Sequence, residues 1–252
     1  MEEPYNKVHL NFGQKILKIP RVLKKSLTTE LTCVHWQLKA NGQSNLKPNK
    51  INKKFIYLIS PEKIEDKNFY INLALVLSSG KVSFFQLRLK KETSLNKLII
   101  GKKIKKICKK YKVKFLINDD PLLAKKLNAD GCHLGQKDMN LIKARKILKN
   151  KIIGVTCHNS INLAKLAIKN GADYLAFGAF YSSRTKIVKY RASLKILKSV
   201  KKITSQPIVA IGGINLNNYK KLLLNKANFL AISGYIWNNI KYKPLDAIKK
   251  LK

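Results

Sequence analysis

From Lys53 onward the chain alternates short apolar runs with amphipathic segments, and this alternation limits the possible folds more than any other feature. The apolar runs are predicted strands, and they occur at 55–59, 83–89, 115–117, 132–134, 152–156, 174–177, 208–211 and 229–233. A predicted helix follows each strand, at about 66–78, 94–110, 121–127, 139–149, 160–170, 191–202, 216–226 and 242–251. Strands that are apolar throughout and alternate with helices indicate a parallel sheet covered by helices.

Eight strand–helix units within roughly 200 residues are the number found in a (β/α)8 TIM barrel, an α/β fold. A doubly wound open sheet is the competing architecture, but it usually has fewer units and a glycine-rich loop after its first strand. Ser60-Pro61-Glu62 stands at that position instead. We therefore expect a barrel over residues 53–252, preceded by an N-terminal extension or linker over residues 1–52.

The net charge of +39, from 52 basic and 13 acidic residues, raises the question of a nucleic-acid partner. Only five of the basic residues are arginine, which leaves 47 lysines, and these are spread over all the predicted helices. Arginine is the preferred bidentate reader of phosphates and bases, so a compositional bias toward lysine is favoured over nucleic-acid binding. In either case a positive field favours small anionic substrates.

Membrane, secretion and disulfide signals are all missing from the sequence. No apolar run approaches the roughly 20 residues that span a bilayer. The first five residues are acidic rather than the start of a secretory signal, which favours a cytoplasmic location. None of the four cysteines forms a Cys-x-x-Cys pair, so zinc spacing is absent, and Cys132 and Cys157 are expected to be buried hydrophobic residues.

The end of the second predicted strand carries three long polar side chains. Gln86, Arg88 and Lys90 alternate along it, and alternate strand residues point to the same face. Leu89 is out of phase with them and is expected to face the helices. In a barrel the chemistry lies at the carboxyl ends of the strands. We interpret the three polar side chains as a clamp for an anion.

Two carboxylates follow the third and fourth strands in a protein that has few of them. Asp119 and Asp138 are the oxygen ligands that Mg²⁺ prefers, with coordination positions left for water and substrate phosphates. The alternative is that each caps the following helix, because aspartate is a favoured N-cap residue. For Asp120 and Asp130 we adopt that alternative.

Further polar groups are expected at the other strand ends. The loop 182–186 offers hydroxyls, amides and a lysine, while Gly212-Gly213 and Ser233-Gly234 follow the last two strands, where barrels often bind phosphate. His133 is expected to be packed within its strand, and His158 could face the cavity. No nucleophile–base pair is evident, which favours a reaction driven by departure of a leaving group. The predicted site suits two phosphorylated groups, one of them a diphosphate held with metal.

These motifs together resemble the thiamine phosphate synthase family, within a superfamily that also contains thiazole tautomerases. The matching strings are Tyr57-Leu-Ile-Ser60, Gln86-Leu-Arg-Leu-Lys90, Leu116-Ile-Asn-Asp119, Ala129-Asp-Gly-Cys-His-Leu-Gly-Gln-Lys-Asp138, Gly154-Val-Thr-Cys-His-Asn159, Gly171-Ala-Asp-Tyr174, Ser183-Arg-Thr-Lys186 and Ala210-Ile-Gly-Gly-Ile214. They occur in order between residue 55 and about residue 240. Each string alone is modestly specific, and the set is highly specific.

The resemblance implies a transferase that joins hydroxymethylpyrimidine diphosphate to thiazole phosphate and releases pyrophosphate. The diphosphate would leave first, and the thiazole nitrogen would capture the resulting cation. Small phosphorylated substrates and Mg²⁺ are the implied partners and cofactor, and a homo-oligomer stays open. The implied site residues are Gln86, Arg88, Lys90 and Asn118 for the pyrimidine diphosphate, Asp119 and Asp138 for Mg²⁺, Thr156, then Ser183, Arg184, Thr185, Gly213, Ser233 and Gly234 for the thiazole phosphate, and Lys186 beside the pyrophosphate. Arg88, Lys90 and Lys186 would stabilise the departing charge.

Several positions depart from the family pattern. Leu89 replaces an acidic residue, Asp120 a basic or aromatic one, Thr156 a serine, Ser182-Ser183-Arg184 a Pro-Thr-x string, and Ser233-Gly234 a hydrophobic-Ser pair. A tautomerase-like or non-catalytic relative on the same barrel is the closest alternative. Two metal-type carboxylates together with Arg88 and Lys90 disfavour it, because isomerising a monophosphate needs no diphosphate–metal site.

Overall fold

A computed structural model describes residues 54–182 and 190–252, and within these ranges eight parallel strands close into a barrel in chain order. The strands are β1 (Ile56–Ile59), β2 (Val82–Leu87), β3 (Lys114–Asn118), β4 (Gly131–Leu134), β5 (Ile152–His158), β6 (Tyr174–Gly178), β7 (Ile208–Ile211) and β8 (Phe229–Ile232). β1 pairs with both β2 and β8, which closes the barrel. The predicted (β/α)8 fold is confirmed, and the predicted extension over residues 1–52 lies outside the described residues.

Helices separate the strands as the sequence predicts. They are α1 (Lys67–Ser78), α2 (Ser94–Lys110), α3 (Pro121–Lys126), α4 (Leu141–Leu148), α5 (Ile161–Lys169), α6 (Leu194–Lys201), α7 (Tyr219–Leu224), α8 (Gly234–Trp237) and α9 (Pro244–Lys250). The short α8, directly after β8, was not predicted. In the described part of the chain, none of the helices is long and apolar enough to cross a membrane.

Two strands end two residues away from their predicted positions, and both differences affect the site. β2 ends at Leu87 rather than at residue 89, so Arg88 and Lys90 follow the strand. β5 continues to His158, and its register against β6 shifts after Thr156. A register shift of this kind re-aims the side chains next to it, here at the carboxyl end of the barrel.

The larger part of the core lies between the strands and the surrounding helices. Strand residues such as Phe85 pack with helix residues such as Leu73 and Ile104, all of them fully buried. Leu89 belongs to this cluster and is 3% exposed, so the expectation that it faces the helices is confirmed. Cys132 and Cys157 are buried free thiols, as expected.

Aromatic rings fill the inside of the barrel and form a second, smaller core. The rings of Tyr57, Phe84 and Tyr174 pack with centroid separations of 5.5 to 6.4 Å. Glycine makes room for them, because a Cβ at Gly154 would overlap the ring carbons of Tyr174. Gly154 and Tyr174 are register partners on β5 and β6, so the ring lies across the bare glycine backbone.

Arg145 of α4 connects the two loops that precede β5 and β6. Its guanidinium donates to the carbonyls of Lys149, Lys151 and Gly171 at 2.6 to 2.7 Å and to Asp173 Oδ2 at 2.6 Å. Asp173 in turn accepts from the first residues of β5 through the N–H of Ile153. This network holds the starts of β5 and β6 together, at the end of the barrel opposite their carboxyl termini.

Candidate active site

The three polar residues in and after the end of β2 each contact a different neighbour. Gln86 lies inside the barrel, is 2% exposed, and donates through Nε2 to the hydroxyl of Tyr57 at 3.0 Å. Arg88 is half-buried, with Nη1 3.8 Å from the exposed Glu62 carboxylate. Lys90 is exposed, and its Nζ lies 2.9 Å from Asp119 Oδ2. The three predicted clamp residues thus differ in burial: Gln86 lies inside the barrel, Arg88 is half-buried and Lys90 is exposed.

Ser60, at the end of β1, holds the backbone that carries Arg88. Its buried hydroxyl oxygen accepts from the N–H of Arg88 at 2.9 Å, and its own proton can go to the carbonyl of Pro61 or Arg88. Its carbonyl accepts from the hydroxyl of Ser233 at 3.0 Å. Ser60 therefore connects the end of β2 with the end of β8 and positions Arg88 at the mouth.

Asp119, Asp138 and Lys90 form one contact group. Burial raises the pKa of Asp138, and its hydrogen bond with Asp119 raises that pKa further. Burial opposes ionisation of Asp119 too, but hydrogen bonds from Asp138 and Lys90 outweigh it and hold the pKa of Asp119 below its usual value. Two carboxylates this close repel each other when both are ionised, so the site favours a cation between them.

The backbone brings these two carboxylates together through two local features. Asp119 has a φ of 65°, a conformation that aspartate tolerates better than most residues, and its N–H donates to the carbonyl of His133 at 2.8 Å. Asp138 accepts from the N–H of Gly135 at 2.6 Å. A Cβ at Gly135 would lie 2.8 Å from that same Asp138 oxygen, so glycine permits the approach.

The donor set fits Mg²⁺ with an incomplete protein shell. Within residues 54–182 and 190–252, no group of three or more His, Cys, Asp or Glu side chains could hold a metal. Mg²⁺ is commonly bound by one or two carboxylates, with waters and substrate phosphates completing the octahedron. Asp119 and Asp138 supply that number of oxygen ligands. A cavity of about 260 Å³ borders Asp119 but not Asp138. It is lined by Lys90, Lys97, Asn118 and Asp120 together with the apolar Leu87, Leu89, Ile117 and Leu123.

A continuous chain of hydrogen bonds crosses the barrel interior from Gln86 to Thr156. Tyr57 Oη lies 2.7 Å from Tyr174 Oη, which lies 2.8 Å from His133 Nδ1. His133 Nε2 lies 2.8 Å from Thr156 Oγ1. Burial lowers the pKa of His133 to about 4 and raises the pKa of both tyrosines, so these groups are neutral near pH 7. His133 is packed structure, as expected, but it also contacts a predicted site residue.

The loops after β7 and β8 lie on the other side of the mouth. Gly212 and Gly213 both have positive φ, and a Cβ at Gly213 would overlap the carbonyl of Ser182. The glycines are therefore required where this loop touches the loop after β6. Ser233 precedes α8, and Gly234 is the first residue of that helix. The predicted residues Ser183, Arg184, Thr185 and Lys186 lie outside the described residues.

The two acidic residues expected to be helix caps have different roles. Asp120 caps α3 and accepts from the N–H of Leu123 at 2.9 Å, so that expectation is confirmed. For Asp130 the expectation is wrong. Its carboxylate accepts from the N–H of Phe115 at 2.9 Å and pairs with Lys114, because it precedes β4 and not a helix.

Several polar groups of this site were not predicted from the sequence. Tyr57 and Tyr174 look like core aromatics in an apolar strand, and only their hydroxyls reveal a second role. Gln136 donates to the carbonyl of Thr156 at 2.5 Å and supports the shifted end of β5. The one available signal was strand phase, because Tyr57, Tyr174 and Gln86 all occupy inward-facing positions.

Fold and site together define a class of protein. A closed (β/α)8 barrel whose strand ends converge on paired carboxylates, cations and glycine-rich loops is the architecture of a TIM-barrel enzyme.

Comparison with known proteins identifies the family. The model of the thiamine monophosphate synthase family matches residues 56–236. A thiamine-phosphate synthase from Pelagibacter ubique is 86% identical over 82% of this chain and 100% of its own length, and one from Nitrosomonas eutropha is 40% identical over 73% and 86%. The solved structure of a thiamine phosphate pyrophosphorylase from Pyrococcus furiosus superposes with a TM-score of 0.68 at 28% identity, covering 79% of this chain and 94% of that one.

The chain therefore belongs to the thiamine monophosphate synthase family. It is an enzyme, a transferase with thiamine-phosphate synthesis as its function and small molecules as its substrates. The resemblance drawn from the sequence motifs is confirmed.

Proposed function

We propose that the enzyme couples hydroxymethylpyrimidine diphosphate to thiazole phosphate in a Mg²⁺-dependent reaction that releases pyrophosphate. The bond between the pyrimidine methylene carbon and the diphosphate oxygen breaks, and the electron pair leaves with pyrophosphate. The thiazole nitrogen then donates its lone pair to the same carbon. Water must stay away from the carbocation between these steps, and the buried side chains of Gln86 and Tyr57 would help to exclude it from inside the barrel.

The observation that carries this proposal is the contact group of Lys90, Asp119 and Asp138. A diphosphate site needs both a cationic side chain and metal ligands. Here Lys90 lies 2.9 Å from one of two neighbouring carboxylates, so both kinds of group are side by side. Asp119 and Asp138 would hold Mg²⁺. When bound, the ion would neutralise the charge that develops on the diphosphate as it departs.

Arginine and lysine side chains would stabilise the departing diphosphate from the other sides. Arg88 is held at the mouth by Ser60, and its only close acidic neighbour among the described residues is Glu62, at 3.8 Å. A pair this long and this exposed contributes little free energy, so the guanidinium can exchange it for a phosphate. Lys186 would join them from the loop after β6, and Asn118 would contact the pyrimidine diphosphate from the end of β3.

The thiazole phosphate would lie on the opposite side of the mouth. Gly213 and Gly234 would bind it through backbone amides, together with Ser233, while Ser183, Arg184 and Thr185 would contact it from the loop after β6. Thr156 keeps the hydroxyl of the serine that is usual in the family. The two substrates would thus enter from the β2–β4 side and the β6–β8 side and meet above Gln86.

The test is release of pyrophosphate when both substrates are supplied, measured as a function of Mg²⁺ concentration. We expect turnover that is abolished by a chelator and restored by Mg²⁺. Asp119→Asn and Asp138→Asn keep the shape of each side chain but remove one ligand charge. We expect each to lower kcat/KM by about 100-fold or more, and to raise the Mg²⁺ concentration needed for half-maximal rate.

Glu62→Gln is the matched control, since it neutralises an exposed carboxylate near Arg88 that we place outside the metal site. Its kcat/KM should stay within about twofold of wild type. No turnover by the wild-type protein with both substrates would refute the proposed reaction and favour the tautomerase-like or non-catalytic alternative. A full rate in Asp119→Asn would refute the metal assignment alone.

A further inference from the structure

The hydrogen-bond chain that links Gln86 to Thr156 has a direction, and the direction follows from its first bond. Gln86 donates its amide N–H to Tyr57 Oη, so the Tyr57 hydroxyl proton is available to Tyr174. Among the described residues Tyr57 Oη has no other acceptor for its proton, so we assign Tyr174 as the acceptor from Tyr57 and as the donor to His133 Nδ1. With Nδ1 acting as acceptor, the neutral imidazole carries its proton on Nε2 and donates to Thr156 Oγ1.

Each end of the hydrogen-bond chain has one polar atom available to a ligand. Gln86 donates through its amide nitrogen to Tyr57, and no hydrogen bond to its Oε1 is found among the described residues, so Oε1 is available as an acceptor. Thr156 Oγ1 has accepted from His133, so its own proton is available and it presents a donor. If the amide of Gln86 flipped, every bond in the chain would reverse, and the two ends would become a donor and an acceptor respectively.

Resting on the proposed function, we propose that Tyr57, Tyr174 and His133 are positioning residues that lock Gln86 as a hydrogen-bond acceptor and Thr156 as a donor. The locked acceptor selects a pyrimidine that carries an exocyclic amine and rejects the isosteric pyrimidine that carries a carbonyl there. None of the three needs to touch the substrate. Their effect passes through the hydrogen bonds that join these neutral groups inside the barrel.

The packing of the barrel supports a rigid relay. Tyr57 and Tyr174 are 2% and 1% exposed, and the imidazole of His133 stacks on the Tyr174 ring with planes 17° apart. The Tyr174 ring lies against Gly154, where even an added Cβ would overlap the ring carbons. A buried hydroxyl that loses its partner is costly, so the chain reverses as a whole or not at all.

Substrate discrimination is the first test. The ratio of kcat/KM for the aminopyrimidine diphosphate to that for its carbonyl analogue is measured in wild type, Tyr57→Phe and Tyr174→Phe. We expect wild type to favour the amine by about 100-fold or more, and each variant to narrow that ratio by about tenfold, because Gln86 can then flip. Thermal unfolding of each variant checks that the barrel remains folded.

The matched control is Tyr219→Phe, which removes a buried tyrosine hydroxyl outside the relay. That hydroxyl bonds the backbone of Lys252, and its ring stacks on Phe55 just before β1. The control should keep the wild-type ratio. If Tyr57→Phe and Tyr174→Phe also keep it while wild type turns over the natural substrates, the relay is refuted and the proposed reaction stands. Equal losses for both substrates would likewise refute it, as that result indicates general damage.

The tautomer of His133 gives a second readout that needs no catalysis. In protein labelled with ¹⁵N-histidine, with His133→Gln used to assign its signals, we expect a protonated Nε2 and an unprotonated Nδ1. Tyr174→Phe removes the donor to Nδ1 and should shift that signal, whereas Tyr219→Phe should leave it unchanged. A protonated Nδ1 in the wild-type protein would overturn the proposed direction, whether or not the enzyme is active.

Discussion

Replacing Gly154 by alanine adds one methyl group inside the barrel, and its cost can be worked out from the structure. The new Cβ would overlap three carbons of the Tyr174 ring, which is 1% exposed and cannot move outward. Overpacking a core typically costs about 1–3 kcal/mol. A displaced ring also loses the bonds to Tyr57 and His133, at about 1 kcal/mol each. We therefore expect about 3–5 kcal/mol of lost stability.

Urea unfolding followed by circular dichroism measures that loss directly. For a domain of this size, 3–5 kcal/mol corresponds to a fall in Tm of roughly 10 °C. Gly171→Ala is the control. Its φ is also positive, at 84°, but open space surrounds the added Cβ, so only backbone strain of about 1–2 kcal/mol is expected.

A double-mutant cycle separates the clash from any other effect of the new methyl group. In a Tyr174→Ala background the ring is gone, so Gly154→Ala should be close to neutral or slightly stabilising. A coupling free energy of at least about 2 kcal/mol between the two sites is expected. If Gly154→Ala costs less than about 1 kcal/mol in the wild-type background, the ring does not pack on Gly154 as described, and the rigidity assigned to the relay fails with it.

Two further predictions concern groups away from the barrel interior. Arg145→Ala removes four hydrogen-bond donors that join two loops. Because the Arg145–Asp173 pair is partly exposed, we expect the free energy of unfolding in urea to fall by only about 2 kcal/mol and kcat to stay unchanged. An altered kcat would contradict its purely structural role. Ser60→Ala leaves the N–H of Arg88 without its acceptor, so KM for the diphosphate substrate should rise several-fold while Tm falls by only a few degrees. Unchanged KM would show that Arg88 needs no such support.

The alternation of apolar runs and helices was sufficient to predict the barrel because it depends on local periodicity. The strand ends were less predictable. Arg88 and Lys90 continue the apolar alternation of β2 in sequence, yet pairing stops at Leu87, and pairing depends on neighbours that the pattern does not specify. The expectation for Asp130 was wrong for a different reason: the predicted strand at 132–134 follows it directly, so there was no helix for it to cap.

The candidate site was predictable where charge was informative and not where it was neutral. Asp119 and Asp138 were conspicuous in a chain with few acids, and the structure brings them into contact. The Tyr57–Tyr174 bond joins residues 117 positions apart, and no spacing rule predicts a contact between such distant residues. The hydroxyls of core tyrosines are only recognised as part of a site once the fold places them together.

The bond from Ser233 to Ser60 also has a consequence for the order in which the site is completed. The two residues are 173 positions apart, and they meet only when β8 adds to β1. Closing a loop of that length costs ~4.6 kcal/mol plus a constant on a logarithmic scale. A nascent chain that ends before β8 already contains Arg88, Lys90 and both carboxylates, yet it lacks the group that joins the two sides of the mouth. A fragment that ends before β8 would thus carry the cationic side of the site without the opposite side of the mouth. Binding of the thiazole phosphate would therefore indicate that the last strand is in place.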